Sequence, residues 1–217
     1  KYIFPIVDIV IHLAAYNSTK DFYKKPLEVI QDNLIPTLNL VEFYRKQKKP
    51  PLFVYTGTPE ITVGATDHFG YKIPTDEKVP MVIPDLKNAR WSYASSKGLG
   101  EQVIISSGLK YIIIRPHNIY GPGQENHFVP EFIQRCKKNE IVLYGWKNTR
   151  SWLFIDDCCI AIEKLIHSKK AVFVRNRLYT GLGYKINKKM KLEFGYMNQF
   201  FENRGRDEIN ILCFCNF

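Results

Sequence analysis

The chain has 217 residues, with 31 Lys+Arg against 21 Asp+Glu for a formal charge of +10, and 45% hydrophobic residues; this is ample for one substantial core, while no apolar run reaches the roughly 18 residues a membrane span needs. The positive charge invites a nucleic-acid reading, but residues 1–166 hold 21 basic and 17 acidic residues and residues 167–217 hold 10 and 4, so the basicity gathers in the tail and forms no binding stripe. Five cysteines without a C-x-x-C pair, or a histidine at zinc spacing, argue against a metal site and a disulfide framework, and make a reducing, cytoplasmic setting the default.

The first periodic segment is Asp8–Ala15, DIVIHLAA, which reads as a buried strand ending in small residues. A helix is expected over Ser18–Ile30, capped by Asn17 or Ser18, and a second over Asn33–Gln47, with Leu34, Leu38, Val41 and Tyr44 at helical spacing. Pro36 fits that second helix if it lies in a first turn capped by Asp32 or Asn33. Pro51–Thr56 is the next strand, followed by a polar stretch from Gly57 to Ala89 read as loop. A helix then carries Tyr93 and Lys97 and stops near Ser107–Gly108, and Leu109–Arg115 forms a third buried strand closed by Pro116. Beyond Gly121–Gly123 come a helix over about Val129–Lys138, a short strand at Ile141–Tyr144, and a final helix over about Asp157–Ile166. Apolar strands alternating with helices predict an α/β fold: a doubly wound parallel sheet, with its ligand site at the carboxyl ends of the strands.

Within RWSYASSK, Tyr93 and Lys97 are four residues apart and so share a helical face. A free tyrosine titrates near pH 10, and a nearby ammonium favours its phenolate, bringing the phenol toward the range in which it can take a proton.

The pieces DIVIHLAA, NLIPTLNLVEF, FVYTGT, IPTDEKVP, RWSYASSK, RPHNIYGPGQ and NTRSWLFIDD, in that order over about three quarters of the chain, resemble the extended short-chain dehydrogenase/reductases, specifically the NAD-dependent nucleotide-sugar epimerase/dehydratase group. The resemblance implies an incomplete Rossmann-type domain over residues 1–166, with substrate-binding elements interleaved at about 121–155 and an unassigned basic segment at 167–217. It implies NAD as cofactor, a nucleotide-diphosphate sugar as substrate, a homodimer, and neither nucleic acid nor membrane as partner. Tyr93 would be the general base on a sugar hydroxyl, and Lys97 would also hold the nicotinamide ribose. Thr58 would hydrogen-bond the reacting oxygen, with Thr56 a weaker candidate and Gly57 standing where a serine is common. Leu13, Ala14, Ala15 and Pro116 would contact the cofactor, and Asn118, His127, Phe128 and Arg150 the sugar nucleotide. His12 is assigned no chemistry, and Asp156 and Asp157 read as a helix start, where carboxylates suit the positive end of the dipole.

Two departures qualify the resemblance. The family's opening strand, glycine-rich turn and helix, which bind the cofactor pyrophosphate, have no counterpart in the sequence. The chain opens on Lys1 where a fourth strand would begin, without a signal-peptide pattern; it is therefore expected to be truncated at the N-terminus, with an open apolar sheet edge. The tail beyond about Ser168 matches nothing in the family and is expected to be divergent. The function expected is epimerisation or decarboxylation of a nucleotide-diphosphate sugar by transient oxidation, since Glu60 alone, without a preceding aspartate, does not make a dehydratase. The alternative is an inactive remnant or a non-catalytic binding protein of the same lineage.

Overall fold

The computed structural model describes residues 4–73, 75–125, 127–138 and 150–168, together with the backbone of strands within 177–216. In chain order the elements are β1 (Ile9–His12), α1 (Thr19–Lys24), α2 (Pro26–Tyr44), β2 (Leu52–Thr56), a 3-10 turn (Pro59–Thr62), α3 (Val63–Phe69), α4 (Trp91–Ser106), β3 (Tyr111–Ile114), β4 (Ile119–Tyr120), α5 (Phe128–Lys137), β5 (Leu153–Phe154), α6 (Ile155–His167), β6 (Arg177–Asn187), β7 (Met190–Gln199), β8 (Glu208–Ile209) and β9 (Leu212–Asn216). The expected strand at Ile141–Tyr144 lies outside the described residues.

The chain divides into two compact units at Arg115/Pro116, with β8 belonging to the first and β4–β7 and β9 to the second. The first unit is a parallel sheet in the order β1-β2-β3-β8, in register through Val10↔Phe53 and Phe53↔Tyr111. Such pairs need crossovers of a dozen or more residues, which α1–α2 and α3–α4 supply, and the result is the incomplete Rossmann-type fold read from the sequence. One sheet face, through Val10, Phe53, Tyr55 and Ile113, packs with Val41 and Tyr44 of α2 and with Ile104 of α4 into a continuous core. Each such large side chain removed from water contributes about 1.5–3 kcal/mol. The second unit pairs β4 with β5 in parallel, and its tail forms an antiparallel sheet in the order β6-β7-β9.

Several local readings change. Among the described residues β1 pairs only with β2, and Ile9 and Ile11, on the face opposite Val10 and His12, and the following Leu13 are exposed rather than buried. The stretch read as loop after Gly57 contains the 3-10 turn and α3. The first helix stops at Lys24, and α2 starts at Pro26, where a missing N–H is harmless. Pro36 therefore sits inside α2 and not in its first turn; the Asp32 carbonyl it leaves without an intrahelical donor belongs to an exposed residue, where water can replace the bond.

The buried stripe of α2 is Val29, Asn33, Thr37, Val41 and Tyr44, whereas Leu38 is exposed. Two polar residues displace leucines from the core because each finds buried hydrogen-bond partners. That polar layer lies beneath the helix carrying Tyr93.

Candidate active site

In the first unit, Tyr93 and Lys97 occupy successive turns of α4. The Tyr93 ring stacks on Phe22 of α1, with centroids 4.8 Å apart and planes 9° from parallel. Its phenol is influenced by the Thr58 side chain, beyond the carboxyl end of β2. The Thr58 oxygen accepts the Glu60 backbone N–H at 3.3 Å, so its own proton is available to the phenol oxygen. The structure thus brings Thr58 and Tyr93 together. The Thr56 hydroxyl is instead buried without a hydrogen-bond partner among the described residues.

The ionisation of the phenol differs from the sequence expectation. Burial pushes Tyr93 up to about 12; the Thr58 hydroxyl acts downward, and the Glu60 carboxylate nearby raises it further. Burial also raises Glu60, an effect eased by Arg90, whose guanidinium lies 4.0 Å away. Lys97 does not bring the phenol down, because its ammonium is held elsewhere: Nζ lies 4.4 Å from the centroid of the Tyr55 ring. Its charge is felt at His12, and burial lowers Lys97 itself to about 8.

The buried polar layer positions these groups. Asn33 Nδ2 donates to Ser96 Oγ at 3.2 Å, and Ser96 Oγ donates to the Tyr93 carbonyl at 2.9 Å. The same asparagine accepts the Tyr16 N–H at 2.7 Å and donates to its carbonyl, tying the segment after Leu13, Ala14 and Ala15 to α4. Thr37 Oγ donates to the Asn33 carbonyl at 2.9 Å, which leaves His12 Nε2, 2.9 Å from that oxygen, to donate. Desolvation lowers His12 to about 4, so it is neutral at pH 7.

At the end of β3, Arg115 holds Glu101 through contacts of 2.6, 3.0 and 3.2 Å, with both side chains buried. Gly57 explains itself here: a β-carbon would stand 2.0 Å from Glu101 Oε1, so the place where a serine is common is taken by the carboxylate.

In the second unit, Asn118 Nδ2 donates to the Ser151 carbonyl at 2.8 Å, which places Asn118 beside the Arg150–Ser151 segment. Phe128 stacks on Trp152, with ring centroids 5.4 Å apart, so Asn118, Phe128 and Arg150 gather around one stretch. His127 precedes α5 as its N-cap residue without making a side-chain cap hydrogen bond. Ser151 Oγ pairs with His117 Nδ1 at 3.2 Å, and burial lowers His117 to about 4. Asp156 and Asp157 lie in the first turn of α6.

The sequence reading missed Phe22, Tyr55, Asn33 and the Glu101–Arg115 pair as supports of the site. All four act across separations in the chain that no local spacing exposes.

The model of the NAD dependent epimerase/dehydratase family matches residues 4–177. The chain is 29% identical over 167 residues to a dTDP-D-glucose 4,6-dehydratase of Dictyostelium discoideum, covering 74% of this chain and 38% of that protein. It is 31% identical over 168 residues to a UDP-N-acetyl-alpha-D-glucosaminuronate decarboxylase of Bacillus cytotoxicus, covering 73% and 49%. The chain therefore spans less than half the length of these two curated relatives. Among solved structures, the UDP-glucose 4-epimerase of Thermus thermophilus in complex with NAD superposes with a TM-score of 0.59 at 26% identity, over 75% of this chain and 54% of that one.

Proposed function

The chain belongs to the NAD dependent epimerase/dehydratase family, and on that premise we propose that it derives from an enzyme that epimerises or decarboxylates a nucleotide-diphosphate sugar through transient oxidation. The observation that carries this reading is the approach of the Thr58 side chain to the Tyr93 phenol, with Lys97 one helical turn away. The residues present fit the nicotinamide and ribose end of NAD. Ala14 is exposed and small at the carboxyl end of β1, the ammonium of Lys97 lies beneath α4, and Thr56 Oγ at the end of β2 is a buried hydroxyl awaiting a partner among the described residues. Tyr93, Lys97, Leu13, Ala14 and Ala15 would hold that end, with Pro116 assigned by resemblance. The pyrophosphate end has no glycine-rich strand-turn-helix in this sequence.

When bound, NAD supplies the acceptor for the hydride that leaves the sugar carbon. Tyr93 accepts the proton of the hydroxyl on that carbon at its phenol oxygen, and Thr58 keeps that oxygen oriented. With its pKa at about 12, the phenol is protonated at neutral pH; acting as a base therefore requires added positive charge beside it, as the Lys97 ammonium would bring on turning from the Tyr55 ring toward the phenol. Asn118, His127, Phe128 and Arg150 are proposed to hold the sugar nucleotide, Arg150 through paired phosphate oxygens. The second reading, a member of the lineage that does not turn over, is decided by the same experiment.

The reading includes a homodimer. α2 and α4 present a groove lined by Leu38, Val41 and Val103 and rimmed by Glu42 and Arg45, so a two-fold copy meets both signs of charge. Light scattering at a dimeric mass is expected, and a strictly monomeric chain would remove this part of the reading.

Titration calorimetry of the chain with NAD is the test, followed by absorbance of the reduced nicotinamide after addition of a nucleotide-diphosphate sugar. Binding, with the absorbance change abolished in Tyr93→Phe and affinity reduced about tenfold in Lys97→Met, is expected of the enzyme reading; the tenfold change corresponds to the loss of one charge-assisted contact of about 1.4 kcal/mol. Binding with no absorbance change leaves the binding-only reading standing, and absence of binding overturns the NAD assignment for this chain.

A further inference from the structure

Lys97 is 1% exposed, and Tyr55 and Phe53 of β2 are wholly buried. A buried ammonium is costly unless something compensates its charge. Glu101, one turn further along α4, acts on it through charge, but its carboxylate is engaged by Arg115 on both oxygens. From β1, His12 faces it as a neutral ring. What meets the ammonium directly is the face of the Tyr55 ring, at 4.4 Å.

A second, independent feature marks the same contact. A β-carbon at Gly100 would lie 2.0 Å from the Tyr55 hydroxyl oxygen and 2.7 Å from Cζ. A glycine inside a helix costs about 1 kcal/mol relative to alanine. Here it lets the ring slide under α4, where its hydroxyl donates to the Lys97 carbonyl at 3.3 Å. Tyr55 therefore contacts both the main chain and the side chain of Lys97, from 42 residues away in sequence.

We propose that Tyr55 is the positioning residue of Lys97: its ring face holds the buried ammonium beneath α4, and Gly100 is glycine to admit that ring. The role rests on the proposed function only in taking Lys97 as the charge that serves Tyr93. Tyr55 contacts neither substrate nor cofactor in this proposal; it acts through Lys97, as an anchored cation–π partner.

The test reads Lys97 itself, in the 217-residue chain without cofactor or sugar. The Cε signal of Lys97, assigned with Lys97→Arg, is followed by NMR through an alkaline titration. Tyr55→Phe keeps the ring and is expected to leave the midpoint unchanged within about 0.3 units; analogues of that phenylalanine with successive ring fluorines keep its shape and drain its negative face. The midpoint is expected to fall stepwise by about one unit across the series, a tenfold loss in proton affinity. Gly100→Ala, which displaces the ring without altering either partner, is expected to move the midpoint in the same direction. Phe53→Leu, a comparable loss of core packing on the same strand, is expected to leave it in place. A flat fluorine series, or an equal shift in Phe53→Leu, overturns the proposal. Because no ligand is present, that failure leaves the NAD reading intact, and failure of NAD binding leaves this result intact.

Discussion

Replacing Arg115 by methionine isolates a buried ion pair of the first unit. The guanidinium binds Glu101 at 2.6, 3.0 and 3.2 Å, and the two side chains are only 10% and 5% exposed. Methionine preserves length and apolar bulk but leaves the carboxylate buried with its main partner gone. Breaking such a pair from one side costs about 3–5 kcal/mol, because the remaining charge has lost its solvent and its compensation together. With a urea slope of about 2 kcal/mol per molar for a unit of this size, the midpoint of unfolding is expected to fall by about 2 M at unchanged slope. The double variant Glu101→Leu/Arg115→Met removes both charges and is expected to recover most of that loss, giving a coupling of about 2–4 kcal/mol in a double-mutant cycle. Urea unfolding followed by near-ultraviolet circular dichroism makes the measurement. A single-variant loss below about 1 kcal/mol, or a double variant as damaged as the sum of its parts, would refute the claim that this pair is a mutually dependent buried unit.

Acid sensitivity and lysine removal follow from the same reasoning. His12 and His117 are both lowered by burial from 6.5 to about 4. The unfolded chain therefore binds protons first, and stability is lost as pH falls from about 6.5 to about 4, by up to about 3 kcal/mol per histidine. Urea midpoints measured across that interval should decline, and His12→Gln or His117→Gln should each flatten part of the decline; an unchanged profile in both variants would rule out the histidines as its source. Lys97 has a consequence of the same sign in alkali: lowered from 10.5 to about 8, it leaves stability to rise as pH increases through that window. At neutral pH its burial is a burden, and Lys97→Met is expected to stabilise the chain by about 2–3 kcal/mol, read as a higher urea midpoint. A destabilised Lys97→Met would show that the Tyr55 contact outweighs the desolvation of the ammonium.

Much of the site was legible because its members are close in sequence. Tyr93 and Lys97 share a helical face at a spacing of four, and Thr58 follows the β2 strand that the apolar run LFVY announces. In the second unit, Asn118 and Phe128 converge on the segment that follows Arg150. Where the reading slipped, the reason was burial. Leucine periodicity assigned Leu38 to the core of α2, but that core belongs to Asn33 and Thr37, whose partners are on α4, on β1 and in the segment around Tyr16. Spacing cannot reveal a polar residue that is satisfied from another element. The apolar run DIVIHLAA forms β1 over Ile9–His12, but the exposure of Ile9 and Ile11 depends on their lying on the sheet face opposite Val10 and His12, which α2 and α4 cover.

What the sequence by itself determined were the alternation of strands and helices, the family to which the ordered motifs belong, and the turn of helix that sets Tyr93 above Lys97, all of which follow from short-range periodicity. Only the tertiary structure decided the charge states and the company these groups keep. The phenol is pushed up to about 12 rather than drawn down, and the lysine settles on a ring 42 residues away. Both outcomes depend on excluding water and bringing distant segments together, and the energy of a charge is set by those through-space surroundings rather than by its neighbours along the chain.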